Sequence, residues 1–165
     1  MTPAAYLNSL PVAAARAAFS RCCGARHWVE AMLAARPFAS DAELLATADR
    51  VWWGLGRTDW LEAFAAHPRI GGRGSGAART GWARREQAGA DGAAAATLAA
   101  LAQENLTYEE RFGHVFLISA TGKTADEMLG ALRGRLTNDP DTELCVAAEE
   151  QAKITRLRLD KLVAS

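Results

Sequence analysis

The chain has 165 residues, half of them apolar, and its 19 basic and 19 acidic side chains leave no net formal charge. That is the length of one ordinary domain. The even charge argues against nucleic acid or an anionic membrane as a partner, and no apolar run approaches the roughly 20 residues that a membrane span needs. Alanine is abundant and β-branched runs are few, which favours helix and predicts one all-α domain over residues 1–165, a bundle of about eight helices without substantial sheet.

Residues 1–20 carry Pro3 and Pro11 and no continuous apolar core, so no signal peptide is expected. Pro11 opens a helical segment that runs to Cys23 and stops at Gly24. A second covers 25–35 and ends before Pro37. Ser40, with Glu43 three residues on, has the pattern of a capping box and starts a helix to about Trp53, broken by Gly54 and Gly56. Thr58 or Asp59 is the expected cap of the next helix, which carries Trp60, Leu61 and Phe64 and is stopped by Pro68.

The glycine-rich stretch 71–76 reads as a loop, followed by a short helix at 79–88. Asp91 starts a long Ala/Leu helix to about 106. His114-Val115-Phe116-Leu117-Ile118 is the one strand-like run; short and isolated, it reads as an extended connector. Thr124 with Glu127 caps a further helix, and Pro140 begins the last one, expected to reach about 163.

The three cysteines, Cys22, Cys23 and Cys145, have neither an even count nor zinc spacing. They read as buried free thiols of a reducing, cytoplasmic compartment. The C-terminal Leu162-Val163-Ala164-Ser165 is no peroxisomal address. The arginine-rich stretch, Arg69, Arg73, Arg79, Arg84 and Arg85, lacks the aromatics of a nucleic-acid platform.

Four features could carry chemistry. Trp60, Phe64 and His67 are spaced i, i+4, i+7 and would share one helical face, turning His67 towards the interior. A histidine at a helix C-terminus has its cationic form favoured by the macrodipole and can act as an acid near neutral pH; a satisfied core histidine is the plainer reading. Pro68-Arg69-Ile70-Gly71-Gly72 fixes the backbone beyond it and suits the edge of a pocket. Glu86 and Gln87 pair an acceptor with a mixed donor–acceptor, although alone they look like an ordinary solvated helix end. Arg158 falls on the apolar stripe of Ile154, Leu157 and Leu162, and a guanidinium drawn inward needs an anion. Either an internal carboxylate or a substrate carboxylate would serve. Asn105 and Tyr108 read as structural caps, His27 and His114 as structural histidines, and the tryptophans 28, 52, 53 and 82 as core or core-edge residues. The backbone of 116–120, if it lines a pocket, can read an imide-rich ring. No phosphate loop or nucleophile elbow is present.

Taken together, His67-Pro68-Arg69-Ile70-Gly71-Gly72, Glu86-Gln87-Ala88-Gly89, Asn105-x-x-Tyr108-x-x-Arg111-Phe112-Gly113-x-x-Phe116-Leu117-Ile118 and Ile154-x-x-Leu157-Arg158-Leu159 resemble the 2-oxo-4-hydroxy-4-carboxy-5-ureidoimidazoline (OHCU) decarboxylase family. Leu7-Asn8 and Asp59-Trp60-Leu61-Glu62-Ala63-Phe64 resemble it too. The resemblance implies a helical fold, a homodimer, and decarboxylation of OHCU to (S)-allantoin and CO₂ in urate breakdown, without metal or cofactor. It carries His67 over as the catalytic acid–base residue and Glu86 as its acidic partner. Pro68, Gln87, Phe116, Leu117, Ile118, Ser119, Ala120 and Arg158 carry over as substrate contacts. One position departs: Ala83 stands where the family often has Ser, which puts one substrate hydrogen bond in doubt. Two other readings stay open at this point, a related enzyme acting on another ureide or hydantoin and a helical module that only binds such a ring.

Overall fold

Side-chain caps mark where several of the helices begin. In the computed structural model, which describes residues 1–70 and 95–163, there are eight α-helices and no strand among the described residues. They are α1 (Pro3–Ser9), α2 (Val12–Cys22), α3 (Arg26–Ala35), α4 (Asp41–Gly54), α5 (Arg57–Ala65), α6 (Ala95–Phe112), α7 (Ala125–Arg135) and α8 (Pro140–Asp160), with a 3₁₀ turn at Lys161–Val163. None of them is long and apolar enough to cross a membrane. The expected short helix at 79–88 and the glycine loop at 71–76 lie outside the described residues.

The Thr124 cap is as the sequence predicts: its hydroxyl accepts from Glu127 N–H and the Glu127 carboxylate accepts from Thr124 N–H, both at 3.1 Å. At Ser40 only half of the box forms. Ser40 accepts from Glu43 N–H at 3.1 Å, but the Glu43 carboxylate reaches back one residue further, to Ala39 N–H. Helix α1 was not expected from the sequence. Pro3 occupies its first turn, where the missing N–H is no loss, and Thr2 accepts from Ala5 N–H at 3.2 Å.

Helix α5 starts before the expected caps. Trp60 N–H bonds Gly56 C=O at 3.0 Å, which places Thr58 and Asp59 inside the first turn, and the Asp59 carboxylate is instead 2.7 Å from His27 Nδ1. Helix α6 runs on to Phe112, because the buried positions Leu101, Asn105, Tyr108 and Phe112 keep its stripe inward. Gly113, at φ +80, then closes it with an N–H bond to Glu109 C=O.

The chain divides into two compact units, Met1–Ala63 with Gln151–Ser165, and Phe64–Glu150. The first is built on Leu7, Phe19, Trp28, Met32 and Leu44, all fully buried or nearly so. Trp28 satisfies its indole N–H on Ala48 C=O at 3.1 Å and meets Phe19 edge to face. Asn8 and Phe38 exchange two hydrogen bonds, and Arg36 ties down the carbonyls of Leu7 and Leu10. Cys22 and Cys23 are buried here, as expected, but Cys145 in the second unit is exposed; on α8 it turns outward between the inward-facing Glu143 and Ala147.

The second unit is centred on Tyr108, whose ring meets Phe112, His114 and Phe116 at 4.7, 5.5 and 5.3 Å between centroids. Beneath it lies a buried ionic cluster. Arg135 places Nε 2.9 Å and one terminal nitrogen 2.6 Å from Glu143 Oε2; Tyr108 donates to that same oxygen and Asn138 donates to the other at 3.1 Å. The Glu143 side chain is fully buried and that of Arg135 is 11% exposed.

Candidate active site

Helix α5 ends two residues before His67. His67 N–H bonds Phe64 C=O at 3.1 Å in a tightened last turn, so His67 lies just past the helix, not on its 3.6-residue face as its spacing suggests. Phe64 is fully buried; His67 and Pro68 are half-buried. Pro68 cannot continue the helix, and the next two residues, Arg69 and Ile70, are both fastened to α6. Asn105 Nδ2 donates to Ile70 C=O at 2.7 Å and to Leu101 C=O at 2.8 Å. Arg69 forms a two-pronged pair with Glu109 at 2.8 and 2.9 Å, and the carboxylate holds the guanidinium further above its ordinary pKa. Asn105 is thus no helix cap: it sits mid-helix and clamps a neighbouring segment. Tyr108 likewise spends its hydroxyl on Glu143 and not on a cap.

The 116–120 segment is neither helix nor strand, and all five of its residues are buried. It shares a hydrophobic cluster with the His67 side of the unit: Ile70, Phe116, Ile118 and Ala120 pack together with Leu101, Tyr108 and Phe112. The rings of Phe64 and His114 stand 5.1 Å apart, and His114 Nδ1 lies 3.0 Å from Val115 C=O, a packing role as expected. Ile70, three residues past His67, and the 116–120 segment therefore pack in one hydrophobic cluster with α6.

Arg158 belongs to the first unit. It is half-buried rather than sealed in the apolar stripe, and one terminal nitrogen donates to Arg21 C=O at 3.3 Å. That carbonyl is in the last turn of α2, where a cation meets the negative end of the helix dipole. The guanidinium's charge favours the thiolates of Cys22 and Cys23, but burial outweighs it and pushes the thiols up to about 12 and about 11. Glu86, Gln87 and Ala83 lie outside the described residues. Among the described residues no group of three or more His, Cys, Asp or Glu is placed to hold a metal ion.

The OHCU decarboxylase family model matches residues 8–160. The chain belongs to the OHCU decarboxylase family. Among proteins similar to it, the uric acid degradation bifunctional protein TTL of Arabidopsis thaliana is 42% identical over 146 residues, which are 86% of this chain but only 45% of that protein. The chain thus spans less than half of that bifunctional relative. The OHCU decarboxylase of Haloferax volcanii is 30% identical over 84% of this chain and 82% of its own length. A solved structure of OHCU decarboxylase in the presence of (S)-allantoin matches with a TM-score of 0.77 and 39% identity, over 89% of this chain and 97% of that one.

Sequence reasoning missed Arg135, Glu143 and Glu150, the charged side chains that hold or underlie the 116–120 segment. A signal was present. Glu143, Ala147, Glu150 and Ile154 recur at i, i+4, i+7, i+11 on α8 and are all buried. The stripe rule that singles out Arg158 would have singled out both glutamates as well.

Proposed function

We propose that this chain decarboxylates OHCU to (S)-allantoin and CO₂ in urate degradation, with His67 as the acid–base residue. The observation that carries the proposal is the match at 39% identity, over 89% of the chain, to an OHCU decarboxylase solved in the presence of (S)-allantoin. The anchored turn around His67 supports it, because a catalytic group must be held in place before the substrate arrives.

In OHCU the carboxylate and a hydroxyl share one ring carbon, next to the ring C=N that bears the ureido group. As CO₂ leaves, the electron pair of the broken C–C bond moves towards that C=N, the nitrogen takes a proton, and an enol remains. Protonation of the ureido-bearing carbon, with loss of the enol proton, gives the carbonyl of allantoin and sets its stereocentre. The substrate supplies its own electron sink, so the reading needs neither metal nor organic cofactor. What the protein has to add is binding of the anion and delivery of a proton to one face.

In this reading His67 delivers that proton, Glu86 orients it or the substrate, and Arg158 anchors a carboxylate or ureido oxygen. Pro68, Gln87 and the 116–120 backbone hold the ring. A homodimer in the cytoplasm is part of the same proposal.

The test is to follow OHCU by circular dichroism with and without the protein. Accelerated decay that yields one allantoin enantiomer is expected. Decay at the spontaneous rate would overturn the activity, and turnover of another ureide or hydantoin with OHCU untouched would reassign it.

A further inference from the structure

Three charged side chains grip the 116–120 backbone, and none of them belongs to the residues assigned to substrate. Glu150, buried on α8, accepts from Ser119 N–H at 2.9 Å. Lys123 donates through Nζ to Ser119 C=O at 3.0 Å. Arg135, at the end of α7, donates to Leu117 C=O at 2.8 Å and lies over the Phe116 ring, 4.5 Å from its centroid. The sequence reads this run as an extended connector, and on an extended backbone residues two apart turn their N–H and C=O groups to the same edge; the bonded residues are Leu117 and Ser119. Just beyond, Gly122 at φ +81 lets the chain turn back, with Lys123 N–H on Ala120 C=O at 3.0 Å. The segment is therefore fixed along one edge and at its far end.

We propose that Glu150 is a positioning residue for substrate binding: with Lys123 and Arg135 it clamps the 117/119 edge of this segment, so that the peptide groups of Phe116 and Ile118 are presented to the ring on the opposite edge. This rests on the reading that 116–120 holds the substrate. Charged partners suit the task, because hydrogen bonds to ionised groups are shorter and about twice as strong as neutral ones. A peptide group already rigid before binding loses less entropy when the ligand arrives. The clamp should therefore act on KM and leave kcat to the residues that move protons.

The experiment pairs Glu150→Ala with Glu150→Gln, whose amide oxygen still accepts from Ser119 N–H. Two quantities are read: hydrogen exchange of the Ser119 amide, and KM and kcat with OHCU. For Glu150→Ala the expectation is exchange faster by about tenfold or more, KM higher by about tenfold and kcat within about twofold, with Glu150→Gln restoring most of both. Faster exchange with an unmoved KM overturns the proposal and takes the substrate role of 116–120 with it. A raised KM with unmoved exchange overturns the clamp alone and leaves that role standing. Should Glu150→Ala fail to fold, Lys123→Met asks the same of the far side, read at the amide of Ala120, which shares the Ser119 peptide plane. Faster exchange together with a raised KM supports the clamp, and no change in KM refutes it.

Discussion

Replacing Arg135 by Met would remove a guanidinium from the most enclosed charge pair described in the protein. Glu143 is fully buried and now receives two N–H bonds from Arg135, at 2.9 and 2.6 Å. Without them its carboxylate keeps only Tyr108 and Asn138, both neutral donors, and Leu117 C=O loses its partner as well. Breaking a buried pair on one side costs about 3–5 kcal/mol. For a chain of this size a kcal/mol is worth about 2–4 °C, so Tm should fall by about 6–20 °C. Arg135→Met/Glu143→Leu removes the stranded charge and should recover part of the loss, although Tyr108 and Leu117 C=O remain unpaired at about 1–3 kcal/mol each. The assay is urea unfolding followed by far-UV circular dichroism, arranged as a double-mutant cycle. A loss below about 1 kcal/mol in Arg135→Met, or a coupling near zero, would refute the view that this pair is sealed from water.

Burial of the thiols sets two further outcomes, and the Asn105 clamp a third. In the native protein a thiol reagent should modify Cys145 and spare Cys22 and Cys23 until the chain unfolds; early loss of more than one thiol would contradict the burial of the pair. Burial raises the pKa of both thiols and of the Tyr108 hydroxyl above their unfolded values. The unfolded chain therefore releases these protons first, and stability should be intact below about pH 9 and fall as pH rises towards 11 and 12; urea midpoints that stay level from pH 8 to 11 would contradict this. Asn105→Leu leaves Ile70 C=O without its donor and should cost about 1–3 kcal/mol. It should also raise backbone exchange around Ile70, and unchanged exchange there would show that Asn105 does not clamp the His67 turn.

The helical class was legible because it is written locally: alanine content, the Thr124–Glu127 box and the proline stops each act within a few residues. Element ends were less legible where a distant group competes. Asp59 looked like a cap because Asp favours that position, but His27, 32 residues away, takes its carboxylate. His67 looked helical because its spacing fits, yet Pro68 tightens the turn before it and lifts it off the helix. The candidate site was legible as motifs and not as an arrangement. His67 and the 116–120 segment can be picked out in one dimension, whereas the Asn105 bond to Ile70, 35 residues away, and the Glu150 bond to Ser119, 31 residues away, exist only once the chain has folded. Arg135 and Glu143 escaped notice because charged residues near helix ends usually face water.

The most direct measurement is the handedness of the allantoin formed from OHCU by the native chain and by His67→Asn, with fold checked by far-UV circular dichroism. The account predicts rapid formation of (S)-allantoin by the native chain. The variant, folded but unable to deliver the proton, should form racemic allantoin at the spontaneous rate. A folded His67→Asn protein that still makes (S)-allantoin at the native rate would contradict it.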